Sequence, residues 1–164
     1  MSRYAGVDPG KTAGACVVIG DDGARVLAVQ YWEGAETPPV LSCLDGVGVA
    51  ALELPYHGED PHAALVLAHW CGWMHRDLHA AGIEVAQPLA VSWRAKVLRI
   101  GRVTRAVAKA KAIDAAQKHA IGMPPEFRES PDVSEAWCLA RWCWGWVRAG
   151  RPALARTHQA RRAA

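Results

Sequence analysis

Residues 3–32 read RYAGVDPGKTAGACVVIGDDGARVLAVQYW, and this stretch decides the fold. Arg3–Asp8 is a short apolar strand that stops at an acid and at the turn Asp8-Pro9-Gly10-Lys11. Gly14–Ile19 is a second apolar strand, and Asp21-Asp22-Gly23 is the hairpin signal that sends the chain back. Arg25–Trp32 then makes a third strand. The chain therefore opens as a three-stranded antiparallel meander.

Further out, Glu36–Leu44 is expected as a short helix, despite Pro38-Pro39. Val47–Leu54 (VGVAALEL) is apolar apart from Glu53 and reads as a buried strand of the parallel kind. Pro61–Ala81 is a long helix, with proline at its start and Gly82 after its end. Ile83–Pro88 is a fifth strand. Helices follow over Ser92–Arg99, Thr104–Ala120 and Ser130–Arg148. Three meander strands followed by two right-handed crossovers give an α/β fold. Its five-stranded mixed sheet has the order 3-2-1-4-5 and is flanked by helices. No repeat or linker divides the chain, so residues 1–150 are read as one domain and 151–164 as a basic, frayed tail.

The chain has 164 residues, 51% of them hydrophobic and 21% charged. That is enough to bury a core, and it excludes a disordered protein. No apolar run approaches the length of a membrane span, and the N-terminus carries no apolar leader, so a soluble, cytoplasmic protein is expected. Cys16, Cys43, Cys71, Cys138 and Cys143 form no CxxC pair and are read as reduced thiols, not as disulfides or a zinc site.

The net charge of +3 hides a division. Residues 1–90 carry four basic and eleven acidic side chains, a net of −7, and residues 91–164 carry fifteen and five, a net of +10. The basic half suits either an anionic partner or a solvated basic helix face. Within it, Arg94, Lys96, Arg99, Arg102, Arg105, Lys109 and Lys111 occur with no acid among them, a density that can neutralise several phosphates of a nucleic acid. Arg102, Arg105 and Lys109 are spaced by three and four, which predicts one helix face. Trp93 can stack on an unpaired base or anchor its helix, and the anchor is the favoured reading.

Four acids stand apart by position. Asp8 ends strand 1 and Glu53 nearly ends strand 4, and the proposed order makes these strands neighbours, about 4.8 Å apart. Asp132 and Glu135 lie three apart in the first turn of the last helix, on one face. Each has a plain structural explanation on its own. Asp8 can serve a turn, and Asp132 can face a helix dipole. Glu53 resists one, because a lone acid in so apolar a strand needs a partner. Together, buried like charges need a cation. Hard oxygen donors suit Mg²⁺, and two such ions about 4 Å apart are what metal-assisted phosphodiester hydrolysis requires.

The stretches GVDPGKTAG (6–14), ALELPY (51–56) and DVSEAWCLA (132–140) together resemble the RuvC-type Holliday junction resolvases of the RNase H-like superfamily, most closely their compact phage-borne versions. The resemblance covers nearly the whole chain. It implies an RNase H-like fold and a homodimer that cuts two strands of four-way DNA junctions in recombination and repair. It also implies Mg²⁺ or Mn²⁺, two ions per site, and a bacterial or phage-infected cell. The family's four acids fall on Asp8, Glu53, Asp132 and Glu135, which makes these the expected catalytic and metal-binding residues. Glu135 stands where bacterial members often carry Asp. The family also implies a basic residue near the cleaved phosphate, here Lys109 or Lys111. The aromatic tip of the bacterial enzymes has no counterpart at its usual place, since the single phenylalanine is Phe127.

Other features are read conservatively. His75 and His79 are taken as surface histidines, His57 as a loop residue, and Trp137, Trp142, Trp144 and Trp146 as packing residues. The 61–81 helix is apolar nearly all round (Ala64, Leu67, Ala68 and Cys71, but also Leu65, Trp70 and Trp73), which calls for a second partner, such as the same helix of another subunit. Three alternatives to a junction resolvase remain at this point. One is an RNase H-like nuclease for other branched DNA or RNA–DNA hybrids. The others are an actin-like phosphotransferase and a DNA-binding module without catalysis.

Overall fold

The computed structural model describes residues 2–10, 12–55, 61–152 and 154. The readings of Lys11, Tyr56, His57 and the tail beyond residue 154 lie outside these described residues. The strands are β1 (Arg3–Asp8), β2 (Ala13–Ile19), β3 (Val26–Glu33), β4 (Val47–Leu52) and β5 (Glu84–Ala86). The helices are α1 (Pro61–Ala80), α2 (Ala90–Val97), α3 (Arg105–His119) and α4 (Pro131–Arg148), with a 3-10 turn at Pro125–Phe127.

The sheet order is β3-β2-β1-β4-β5, as expected. β1 and β3 pair antiparallel with β2, whereas β4 pairs parallel with β1 and β5 parallel with β4. The hairpin between β2 and β3 is closed by Asp22, whose Oδ1 accepts the N–H groups of Ala24 and Arg25 at 2.9 and 2.8 Å. Gly23 sits at φ +74°, and a Cβ there would meet the Trp144 ring at 2.6 Å, so α4 docks on this turn through a residue only glycine can supply.

The period of two along each strand sorts the core into two layers. Tyr4, Ala15, Val17, Ile19, Val49 and Ala51 face α4, whereas Ala5, Val7, Cys16, Val18, Ala50 and Leu52 face α1. α4 lies across β1 and β2, flanked by α2 and α3. At Gly6 a Cβ would collide with the Ala136 carbonyl and the Ala140 nitrogen, and would stand 2.8 Å from Leu139 Cβ. Strand and helix backbones therefore touch at this one residue.

Several expectations need correction. No helix forms over Glu36–Leu44. Pro38-Pro39 lacks the donors of a helical turn. The segment is instead strapped to β3 by Gln30, whose Nε2 donates to the Val40 carbonyl at 2.8 Å and whose Oε1 accepts from Ser42 N at 2.8 Å. β5 is three residues long, not the Ile83–Pro88 run, and α2 begins at Ala90 instead of Ser92. α3 starts at Arg105 behind the Thr104 cap, so Arg102 lies in the preceding loop and does not share a helix face with Arg105 and Lys109. Trp70 belongs to the buried stripe of α1 with Cys71, Met74 and Leu78, which leaves Leu65 and Trp73 as its exposed large apolar residues. All five cysteines are free thiols.

Candidate active site

Asp8 follows Tyr4 and Gly6 on the α4 side of β1, and Glu53 follows Val49 and Ala51 on the same side of β4. β4 ends at Leu52, opposite Val7, and the Glu53 N–H donates to the Val7 carbonyl at 3.2 Å. Glu53 is thus carried one residue past the strand while staying beside Asp8. The turn after Asp8 is pinned by Trp32, whose indole N–H donates to the Gly10 carbonyl at 3.0 Å.

Above this edge stands the start of α4. Ser130 caps it, its Oγ accepting from Val133 N at 3.3 Å, with Pro131 in the first turn. That cap fixes the helix phase so that Asp132 and Glu135 are buried toward the sheet. Oxygens of Asp8, Asp132 and Glu135 all lie within 4.8 Å of one another. Glu53 is not part of that group of three, but its charge still raises the pKa of Asp8.

Two cations enter from the flanking helices. Arg94 of α2 donates from Nη2 to Glu135 Oε1 at 2.7 Å, and Lys109 of α3 donates from Nζ to Asp132 Oδ1 at 2.7 Å. Asp8 and Glu53 have no such ion pair among the described residues. Asp8 is half-buried. Burial first, then the charges of Glu53, Glu135 and Asp132, push its pKa well up, against the pull of Lys109. Glu53 is raised to about 7, by burial and then by Glu135, with Arg94, Trp93 and Arg105 opposing. The Trp93 indole N–H lies close enough to lower the pKa of Glu53 but makes no hydrogen bond of good geometry. Trp93 is fully buried, as an anchoring residue would be.

The donor set is all carboxylate oxygen, from three separate segments, with four acids against two basic partners. Hard oxygen donors in this arrangement fit a hard divalent cation such as Mg²⁺ or Mn²⁺.

The basic stretch divides by location. Arg94 and Lys109 are engaged with the acids, and Arg105 is near enough to act on Glu53. Lys96, Arg99, Arg102 and Lys111 are exposed. A groove of about 490 Å³ lies away from the carboxylates, and Arg99 and Lys111 line it with Lys118, His119 and Arg141, three residues not singled out from the sequence. Its one acid, Asp114, is paired with Lys118 at 2.8 Å, so the groove has the make-up of an anion-binding surface and not of a reaction centre. Sequence reading also passed over Tyr31. It shares a lateral row with Ala15 and Asp8, is 37% exposed, and packs its ring 6.1 Å from that of Phe127. His75 and His79 belong to no metal-ligating group among the described residues.

Among the solved structures that share this fold are two of RuvC. The first is T. thermophilus RuvC in complex with a Holliday junction substrate, 16% identical, with a TM-score of 0.66 over 92% of this chain and 98% of that one. The second is a Thermus thermophilus RuvC structure, 18% identical, with a TM-score of 0.62 over 91% and 97%. The mixed five-stranded sheet with flanking helices is thus the RNase H-like fold that the sequence resemblance implied. No protein-family model and no curated protein sequence matches the chain.

Proposed function

We propose, starting from a fold shared with RuvC over nine-tenths of the chain, that this protein is a metal-dependent, structure-selective DNA endonuclease that hydrolyses phosphodiester bonds at four-way junctions. The observation that carries this reading is the meeting of Asp8, Asp132 and Glu135, with Glu53 beside them, at one end of the sheet. These four carboxylates would hold the divalent cations, Mg²⁺ or Mn²⁺. Such ions would lower the pKa of an attacking water and stabilise the leaving oxygen.

The chain's own residues set the stage for that chemistry. Rigid strand ends and a capped helix place the acids with little freedom, which is how a scaffold converts binding into orientation. Lys109 is the basic residue held nearest the acids on α3, whereas Lys111 is exposed on the groove side. Arg105, Arg102, Lys96, Arg99 and Lys111 would hold the DNA backbone around the cleaved linkage. Leu65 and Trp73, exposed on α1, would bury themselves against a second copy of the chain and pair two sites for two strands.

The test is a substrate panel of four-way junction, linear duplex, flap and RNA–DNA hybrid, each with Mg²⁺, Mn²⁺ or EDTA. Metal-dependent cutting of the junction is expected. Asp8→Asn should abolish cutting while junction binding persists. A variant that cuts at the normal rate would remove Asp8 from the catalytic set.

A further inference from the structure

Lys109 and Arg94 are spent on the carboxylates that a divalent cation would need. Each makes a 2.7 Å ion pair, Lys109 with Asp132 and Arg94 with Glu135. All four groups are withdrawn from water, the bases at 23% and 22% exposure and the acids at 11% and 4%. Acids buried in this way must be neutralised by something. The neutralisation is incomplete in two respects. Asp8 and Glu53 have no ion-pair partner of their own among the described residues, so two of the four carboxylates are left without a base. Arg94 also contacts Glu135 through Nη2 alone, and its Nε is buried without a hydrogen-bond partner. A guanidinium that could grip a carboxylate with two parallel bonds is using one.

A divalent cation seated among Asp8, Asp132 and Glu135 would occupy the space that these two bases now answer electrostatically. Lys109 and Arg94 would then be like charges beside it. Both have long stems, and both belong to helices whose neighbouring bases, Lys96 and Arg105, already face solvent.

We propose that Lys109 and Arg94 are stand-in cations: they neutralise Asp132 and Glu135 until a divalent cation binds, and are then released to hold a phosphate of the DNA. Resting on the metal site proposed above, this makes cation binding and DNA binding reinforce one another. By linkage each tightens the other to the same degree.

The exchange has a sign that can be read without DNA and without activity. A competitor for Asp132 weakens metal binding, so its removal must strengthen it. Calorimetric titration of Mn²⁺ into Lys109→Met should show binding on the order of tenfold tighter than in the unaltered protein. Lys109→Arg keeps the charge and should bind Mn²⁺ as the unaltered protein does. Arg94→Met is an independent variant with the same expected sign as Lys109→Met. Equal or weaker Mn²⁺ binding in both methionine variants, while the unaltered protein binds the ion, overturns the stand-in role alone. No saturable Mn²⁺ binding to the unaltered protein overturns the metal site, and this inference with it.

Discussion

The two faces of the sheet are built to different standards. On one, α4 is buried without a break from Asp132 to Ala140, and its backbone rests on that of β1 at Gly6. Trp137, Trp142 and Trp146 are buried there, and Trp144 hydrogen-bonds the Asp21 carbonyl at 2.9 Å. On the other face, α1 buries only Trp70, Cys71, Met74 and Leu78, and leaves Leu65 at 70% and Trp73 at 43% exposure. The carboxylates all belong to the tightly built face. A site that depends on placing like charges within a few ångströms needs walls that do not give. The looser face has apolar surface left over, and it is the face on which a second subunit is proposed.

Paired glycine substitutions give this contrast its largest expected effect. Gly6→Ala drives a methyl group into the backbone of α4, where no side chain can turn aside. It should cost several kcal/mol in denaturant unfolding. Gly72→Ala on α1 meets nothing within 4 Å and should be neutral or stabilise by up to about 1 kcal/mol. Equal losses at the two positions would erase the distinction between the faces.

A smaller effect comes from pH. The folded-state pKa of Glu53 is raised to about 7, above its ordinary value of 4.5, and Asp8 is raised too. A group raised on folding favours the folded state at low pH, and that favour is lost as pH climbs through the folded pKa. The metal-free protein should therefore melt at progressively lower temperature between about pH 5 and pH 8, with Glu53 contributing on the order of 3 kcal/mol. Glu53→Gln should flatten the slope, as should saturating Mn²⁺. A melting temperature that rises over this interval would contradict the burial assigned to these acids.

The mildest test concerns assembly. Sedimentation at micromolar concentration should give a dimer, and Leu65→Glu with Trp73→Glu should give a monomer whose unfolding free energy changes by less than about 1 kcal/mol. An unaltered protein that sediments as a monomer would leave the exposed face without its proposed partner.

Much of the site was legible in the sequence because its placement is periodic. Asp8 is in phase with Tyr4 and Gly6, Glu53 with Val49 and Ala51, and Ser130-Pro131 announces the helix that carries Asp132 and Glu135. The pairing of Arg94 with Glu135, 41 residues away, has no local signature, because it depends on how α2 meets α4. The choice between Lys109 and Lys111 stayed open for the same reason. The buried stripe Ala108, Ala112, Ala116 leaves Lys109 beside Asp132 and Lys111 exposed, which is the ground for proposing Lys109. The helix expected over Glu36–Leu44 failed because a side chain from β3, Gln30, satisfies that segment's backbone instead.

The central claim is that carboxylates from β1 and α4, with Glu53 at their side, form one cation site. Crystals grown with MnCl₂ and measured at the manganese absorption edge test it directly. The account predicts an anomalous peak bounded by Asp8, Asp132 and Glu135, with Lys109 and Arg94 turned away. Manganese found elsewhere on the molecule, with both ion pairs still closed, would contradict it.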